Sequence, residues 1–293
     1  MSKRKILIQL DGDDLPSVFD RVVAVDAGAE EIFSYGGITP EQVRDLVYGA
    51  MFTRGPKDLK STAVFVGGSD VGAGEKIFAE VQKAFFGPLR VSLLLDCSGA
   101  NTTAAAAVVA ASRHVSLEGR KALVLGSTGS VGRRVARLLA RKGAEVRVAS
   151  RDVARATEVA EEIRGSVDGV RIQPFATGEV DGLRAALDGV EVVVAAGGPG
   201  VELLSLEERE RLVAQPMGHS LQVLIDLNAV PPVGIAGIEP TDAAVERDGV
   251  TTYGAIGVGG TKMKIHKAAV ARLFEANDLV LDAEEVLDIG LAL

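Results

Sequence analysis

Short apolar runs alternate with longer helical patterns along almost the whole chain, and this limits the fold more than any other feature. The candidate strands are Lys5–Leu10, Arg21–Val25, Ala63–Val66, Val91–Leu95, Ala122–Leu125, Glu145–Ala149, Val170–Pro174, Val190–Val194 and Val223–Leu227. Several are β-branched and apolar on both faces, as strands covered on both sides of a parallel sheet are. Between them the pattern predicts helices at Thr39–Met51, Gly72–Phe86, Thr102–His114, Val131–Lys142 and Ala154–Ile163. Thr39 is a suitable cap, with Pro40 at the first helical position and Gln42 where a capping box needs it. The alternation implies an α/β protein with right-handed crossovers.

The segment "KALVLGSTGSVGRRVARLL", Lys121 to Leu139, adds chemistry to that frame. Gly126, Gly129 and Gly132 form a G-x-x-G-x-x-G pattern on a strand–turn–helix, a variant of the dinucleotide fingerprint. The first glycine allows a tight turn, the second lets a pyrophosphate approach the backbone, and the third lets helix and strand pack closely. Amides at the helix start then face the phosphates, so Thr128, Ser130 and Val131 join the glycines as cofactor-binding candidates. The second glycine-rich turn, "VFVGGSDVGAGEKIF", is read as structural.

The next strand ends at Ser150, followed by Arg151. An acidic side chain at that tip would accept from the ribose 2′-hydroxyl of NAD. Ser150 leaves room instead, and Arg151 offers a cation and a flat face to a 2′-phosphate and adenine. NADP is favoured, with NAD as the weaker alternative. Asp152 softens this reading, because it can cap the next helix. Arg155 is a further cofactor candidate, as are Ala195, Ala196 and Asn228, which follow strands on the ligand-binding edge of an open α/β sheet.

With 293 residues the chain is long enough for two domains. The polar connection "HVSLEGRK", His114–Lys121, marks the break. Residues 1–117 are expected to form a substrate domain. Residues 118–264 are expected to form a Rossmann-like doubly wound parallel sheet. The C-terminal helix, 265–293, should pack back on the first domain, and the active-site cleft should lie between the two domains. No apolar run reaches bilayer length, and "MSKRKILIQLDGDD" has no sustained apolar segment or cleavage site of a secretory signal. The single cysteine, Cys97, fits a reducing cytoplasm. A net charge of −8 argues against nucleic-acid binding, and three scattered histidines with one cysteine argue against a metal site.

In "GVGGTKMKIHKAAVARLFEAN", Thr261 is a candidate helix cap, and the residues after it advance by about 100° per position. Met263, Ile265, Ala269, Val270, Leu273 and Phe274 cover one arc; Lys264, Lys267, Arg272 and Glu275 cover the other. Lys262 and His266 fall in the middle of the apolar arc, where a lysine is expensive without a partner or a solvated cleft. The bland alternative is a lysine snorkelling outward above a satisfied core histidine. The glycines of "GAIGVGG" just before suggest a flexible lead-in that lets backbone approach a ligand closely.

The chain resembles the NADP-dependent methylene-tetrahydromethanopterin dehydrogenases of bacterial one-carbon metabolism. The resemblance covers nearly the whole chain. It rests on "LPSVFD", "YGGITPEQV", "FTRGPKDLKSTAVFVGG", "FFGPLRVS", "SGANTTAAA", the glycine turn, "DLNAVPPVGIAGI" and "GAIGVGGTKMKIH". It implies that Phe19 and Lys262 lie at the reacting centre. Asp11, Ser17, Asn101, Thr102 and His266 are the substrate-binding candidates. The implied reaction passes a hydride from the methylene bridge of the pterin carrier to NADP⁺, leaving a methenyl cation. The resemblance also implies a homo-oligomer. Methylene-tetrahydrofolate is an alternative or additional carrier. More distant alternatives are a shikimate-dehydrogenase-like enzyme and a non-enzymatic NADP sensor.

Overall fold

The computed structural model describes residues 3–214 and 220–293. Its strands are β1 (Ile6–Asp11), β2 (Glu31–Tyr35), β3 (Thr62–Gly67), β4 (Ser92–Leu95), β5 (Lys121–Leu125), β6 (Glu145–Ser150), β7 (Arg171–Ala176), β8 (Val192–Ala195), β9 (Val223–Asp226), β10 (Ala243–Arg247), β11 (Val250–Tyr253) and β12 (Val280–Leu281). The helices are α1 (Val18–Asp26), α2 (Val43–Phe52), α3 (Val71–Ala84), α4 (Ala100–Ser112), α5 (Ser130–Arg141), α6 (Val153–Ser166), α7 (Val180–Leu187), α8 (Leu206–Val213), α9 (Ala255–Arg272) and α10 (Ala283–Leu291). The chain divides into two compact units, Met1–Thr102 with Met263–Leu293, and Thr103–Lys262.

The first unit holds a parallel sheet in the order β12-β4-β3-β1-β2. Leu10, Val64, Val66, Leu93 and Leu95 of this sheet are buried with Val43, Val47 and Met51 of α2 and Ile77 and Val81 of α3. The last residues of the chain complete the sheet. β12 pairs with β4, and Leu93 donates its amide to the Leu279 carbonyl at 2.8 Å. Ser92 Oγ donates to the Ala276 carbonyl at 2.9 Å, and Asn277 Nδ2 donates to the Arg90 carbonyl at 3.0 Å.

The second unit holds the order β10-β11-β9-β8-β5-β6-β7, parallel except for β10, which runs antiparallel to β11 at one edge. This is the doubly wound arrangement the alternation predicts. Leu123, Leu125, Val193 and Leu224 are buried there with Leu187, Leu204 and Leu212.

Two sequence readings need correction. The segment Arg21–Val25, read as a strand, is helical and belongs to α1. Its valines favour a strand, but Ser17 caps the helix by accepting from the Asp20 amide at 3.2 Å. Parallel neighbours such as β1 and β2 also need a crossover between them, and α1 provides it. The second correction concerns Thr261, which does not start a helix: α9 begins at Ala255 and runs through the glycines. Gly254 and Gly257 serve close packing rather than flexibility, because a Cβ at either would collide with backbone between Glu239 and Ala243.

Candidate functional site

In the second unit the chain goes from β5 to β6 and β7 on one side, then returns to β8 on the other. The order therefore reverses between β5 and β8, where open α/β sheets form a ligand crevice outside the strands' carboxyl ends. Leu125 and Ala195 are register partners at this edge, so Gly126 and Ala196 stand directly beyond it. A Cβ at Gly126 (φ +74°) would lie 2.8 Å from the Gly197 nitrogen. One at Gly132 would strike the Gly126 carbonyl and come within 2.9 Å of Ser127 Cα. At Gly129 a Cβ would meet nothing closer than 3.7 Å. Two glycines are thus required by the protein's own packing, while Gly129 leaves space at the helix end. Gly129 is the N-cap of α5 and has no side chain to accept from the first-turn amides. This is a cradle of the kind a pyrophosphate fills.

Around it, Ser127 is buried and donates from Oγ to the Ala149 carbonyl at 3.1 Å, tying the turn to β6. Arg133 donates from Nε to the Thr128 carbonyl at 3.2 Å and pairs with Glu162 at 2.6 Å. Thr128, Ser130, Val131 and Ser150 are half-buried, whereas Arg151 and Arg155 are exposed. Asp152 is the N-cap of α6, its Oδ1 accepting from the Ala154 amide at 2.8 Å, so this carboxylate serves the helix.

Ala195 is buried, and Asn228 lies just past β9 with 5% exposure. Asn228 works within its loop, accepting from the Val230 amide at 2.9 Å and donating to the Pro232 carbonyl at 3.2 Å. The loop is anchored by Asp226, which is 1% exposed. Its Oδ1 accepts from the Asn228 amide and its Oδ2 from the Ile235 amide, each at 2.9 Å. Burial pushes its carboxyl above the ordinary range, partly opposed by these backbone donors.

The first unit has its own reversal. The chain goes from β1 to β2, then back to β3 on the other side, placing the crevice beyond β1 and β3. Asp11 and Gly67 are register partners there, and the Asp96 amide donates to the Val66 carbonyl beside them. Asp11 is fully buried. Its Oδ1 accepts from the Asp13 amide at 2.9 Å, and its Oδ2 accepts from the Ser17 amide at 3.0 Å and Gln9 Nε2 at 3.3 Å. Asp13 grips Ser69 across the crevice, accepting from its amide at 2.9 Å and its hydroxyl at 2.8 Å. These carboxylates fix the loop that delivers α1, with half-buried Ser17 at its cap and Phe19 50% exposed.

His266 is fully buried on α9, one turn after half-buried Lys262. Its ring stacks on Phe65 at 5.9 Å between centroids and lies 6.2 Å from Phe19. Nε2 is 4.0 Å from Asp20 Oδ1, and Nδ1 is 4.0 Å from Asp96 Oδ2. Asp96 is held by Thr102, accepting from its amide at 3.0 Å and its hydroxyl at 2.7 Å. Asn101 is a strut, donating to the Leu95 carbonyl at 2.6 Å and to Asp282 Oδ1 at 2.9 Å. The structure therefore gathers Asp11, Ser17, Phe19, Thr102 and His266 at one sheet edge. Among the described residues no group of three or more His, Cys, Asp or Glu could hold a metal ion, and no helix is long and apolar enough to cross a membrane.

Residues 18–98 match the family model described as "Methylene-tetrahydromethanopterin dehydrogenase, N-terminal". "Bifunctional protein MdtA" of Methylorubrum extorquens is 44% identical over 288 residues, spanning 98% of this chain and 97% of that protein. The chain belongs to the methylene-tetrahydromethanopterin dehydrogenase family. A second relative from the same organism, named "NAD(P)-dependent methylenetetrahydromethanopterin dehydrogenase", is 29% identical over 283 residues, 91% of each chain. Residues 108–242 of this family member also match the "Shikimate / quinate 5-dehydrogenase" model. Its fold likewise resembles quinate dehydrogenase from Corynebacterium glutamicum in complex with NAD, at 14% identity and a TM-score of 0.53, covering 99% of this chain and 100% of that one.

Asp20, Asp96 and Asp226 were not anticipated as parts of either edge. The sequence does carry a signal for two of them, since "LLLD" and "VLID" each end an apolar run in aspartate.

Proposed function

We propose that this dehydrogenase oxidises methylene-tetrahydromethanopterin with NADP⁺ to the methenyl form and NADPH. The observation that carries the reading is the 44% identity along essentially the full length of a relative in this family. The glycine turn, Ala195, Ala196 and the α5 amides hold the dinucleotide in the second unit, and Arg151 and Arg155 receive its 2′-phosphate. The first unit binds the pterin, with Phe19 shaping its pocket and Ser17 on the same helix end; Lys262, one turn before His266 on α9, orients the substrate or tunes local charge. Asp11, Thr102 and Asn101 act by building the edge that presents these groups.

Bound NADP⁺ supplies the hydride acceptor. The protein's tasks are to fix the donor carbon, exclude water and stabilise charge. The hydride transfer itself requires no proton to be moved. A second reading is use of methylene-tetrahydrofolate as well, since both carriers share the reacting ring system. A spectrophotometric assay crossing NADP⁺ and NAD⁺ with both methylene carriers tests these readings. Reduction of NADP⁺ by methylene-tetrahydromethanopterin is expected, and no reduction in any combination would sink the assignment.

A further inference from the structure

We propose that the Asp20 carboxylate is the counter-charge for the cation that hydride loss creates on the substrate. The inference rests on the reading above, that the substrate is a methylene-bridged pterin carrier. When the C–H bond of the bridge breaks, both electrons leave with the hydride, and the carbon and its two nitrogens share a positive charge. A fixed negative group aimed at that charge stabilises the transition state more than the neutral substrate.

The position of Asp20 is explained from the sequence upward. In "SVFD" the aspartate sits three residues after the helix cap, where a glutamate or glutamine would reach back to the cap's own amide. Here that amide, on Ser17, donates to Asp11 at 3.0 Å. Asp20 turns inward instead, with Oδ1 4.0 Å from His266 Nε2 and Oδ2 3.6 Å from where a Cβ on Gly67 would stand. Gly67 is the last residue of β3, at the order reversal of the sheet.

His266 lies between two carboxylates, Asp20 on one ring nitrogen and Asp96 on the other. Side-chain exposure is 14% for Asp20, 1% for His266 and 0% for Asp96. Asp20 is therefore the member of this array that a ligand can reach, and it directly follows Phe19 on α1. Asp96, pinned by Thr102, and His266 are positioning residues behind it.

The test compares carriers with identical tails that differ in ring charge. Dissociation constants of the methenyl and methylene forms are measured without cofactor for wild type, Asp20→Asn, Asp20→Ser and Asp20→Glu. The asparagine and serine variants are made in parallel so that a folding failure in one leaves the comparison standing. The neutral variants should weaken methenyl binding by about tenfold or more, the scale of one partly desolvated charge pair, and methylene binding by less than about twofold. Their kcat should fall with little change in KM, and Asp20→Glu should keep the methenyl preference. Equal losses for both forms, or none, would overturn the role of Asp20 while leaving the reaction intact. A wild-type protein that neither binds nor oxidises either carrier would remove the proposed function and this inference together.

Discussion

Asp226 reaches across its loop to Ile235, accepting that residue's buried amide at 2.9 Å while its other oxygen takes the Asn228 amide. Asp226→Ala would strand both donors, so a loss of about 2–4 kcal/mol is expected in urea unfolding. The pH dependence has a definite sign. Because burial raises this carboxyl above 3.8, the folded protein holds the proton more tightly than the unfolded chain. Its contribution is fully present below 3.8 and is lost as pH rises through the folded value. Wild type should accordingly gain stability relative to Asp226→Asn as pH is lowered from neutrality; an opposite slope would contradict the assignment.

Glu208 should behave in the reverse sense. Hydrogen bonds from Arg184 and Arg211 hold its carboxyl down from 4.5 to about 2. Its contribution is present above 4.5 and disappears as pH falls through about 2. Glu208→Gln should unfold at lower urea than wild type near neutral pH, with the two midpoints converging across that acid window.

Gly129 and Gly132 should separate binding from folding. Gly132→Ala presses a methyl group into backbone and is expected to cost about 1–3 kcal/mol. Gly129→Ala meets no protein atom closer than 3.7 Å and should cost under about 1 kcal/mol, yet weaken NADP⁺ binding. Thermal melts with and without NADP⁺ read both effects in one experiment.

Arg151→Ala should raise the KM for NADP⁺ by about tenfold and change that for NAD⁺ by less than about twofold, because a lost charge-assisted phosphate contact matters to only one of them. An unchanged KM for NADP⁺ would disprove the 2′-phosphate contact.

Lys262→Ala keeps the helix, since alanine is the best helix former. Turnover should drop by about tenfold or more, while NADP⁺ affinity stays within about twofold, the pattern of lost substrate orientation. Wild-type kinetics would remove Lys262 from the mechanism.

The glycine turn and most strands of the parallel sheets were legible because each is written locally, in glycines at fixed spacing and in apolar runs; β2, β10, β11 and β12 are short or half-exposed and carry no such run. The apolar arc of α9 was legible too: Ile265, Ala269, Val270 and Leu273 are buried, and His266 with them. Arg21–Val25 misled because its valines carry strand propensity, while the cap that decides for helix depends on Ser17 and a distant register. The glycines before Thr261 misled for a related reason, since their packing partners lie between Glu239 and Ala243. Asp20 and Asp96 escaped notice because what distinguishes them is a shared histidine some 170 residues or more away in sequence, a relationship that only folding creates.

The pairing of β12 with β4 sets an order of events during synthesis. Strands β1 to β4 emerge early, but the edge of β4 has no neighbour until Val280 and Leu281 leave the ribosome. Until then the apolar run Leu93–Leu95 presents unpaired backbone, the kind of edge that recruits other chains. A chain stopped short of residue 280 would therefore carry a permanently open edge, and its fate would be set by aggregation before catalysis became a question.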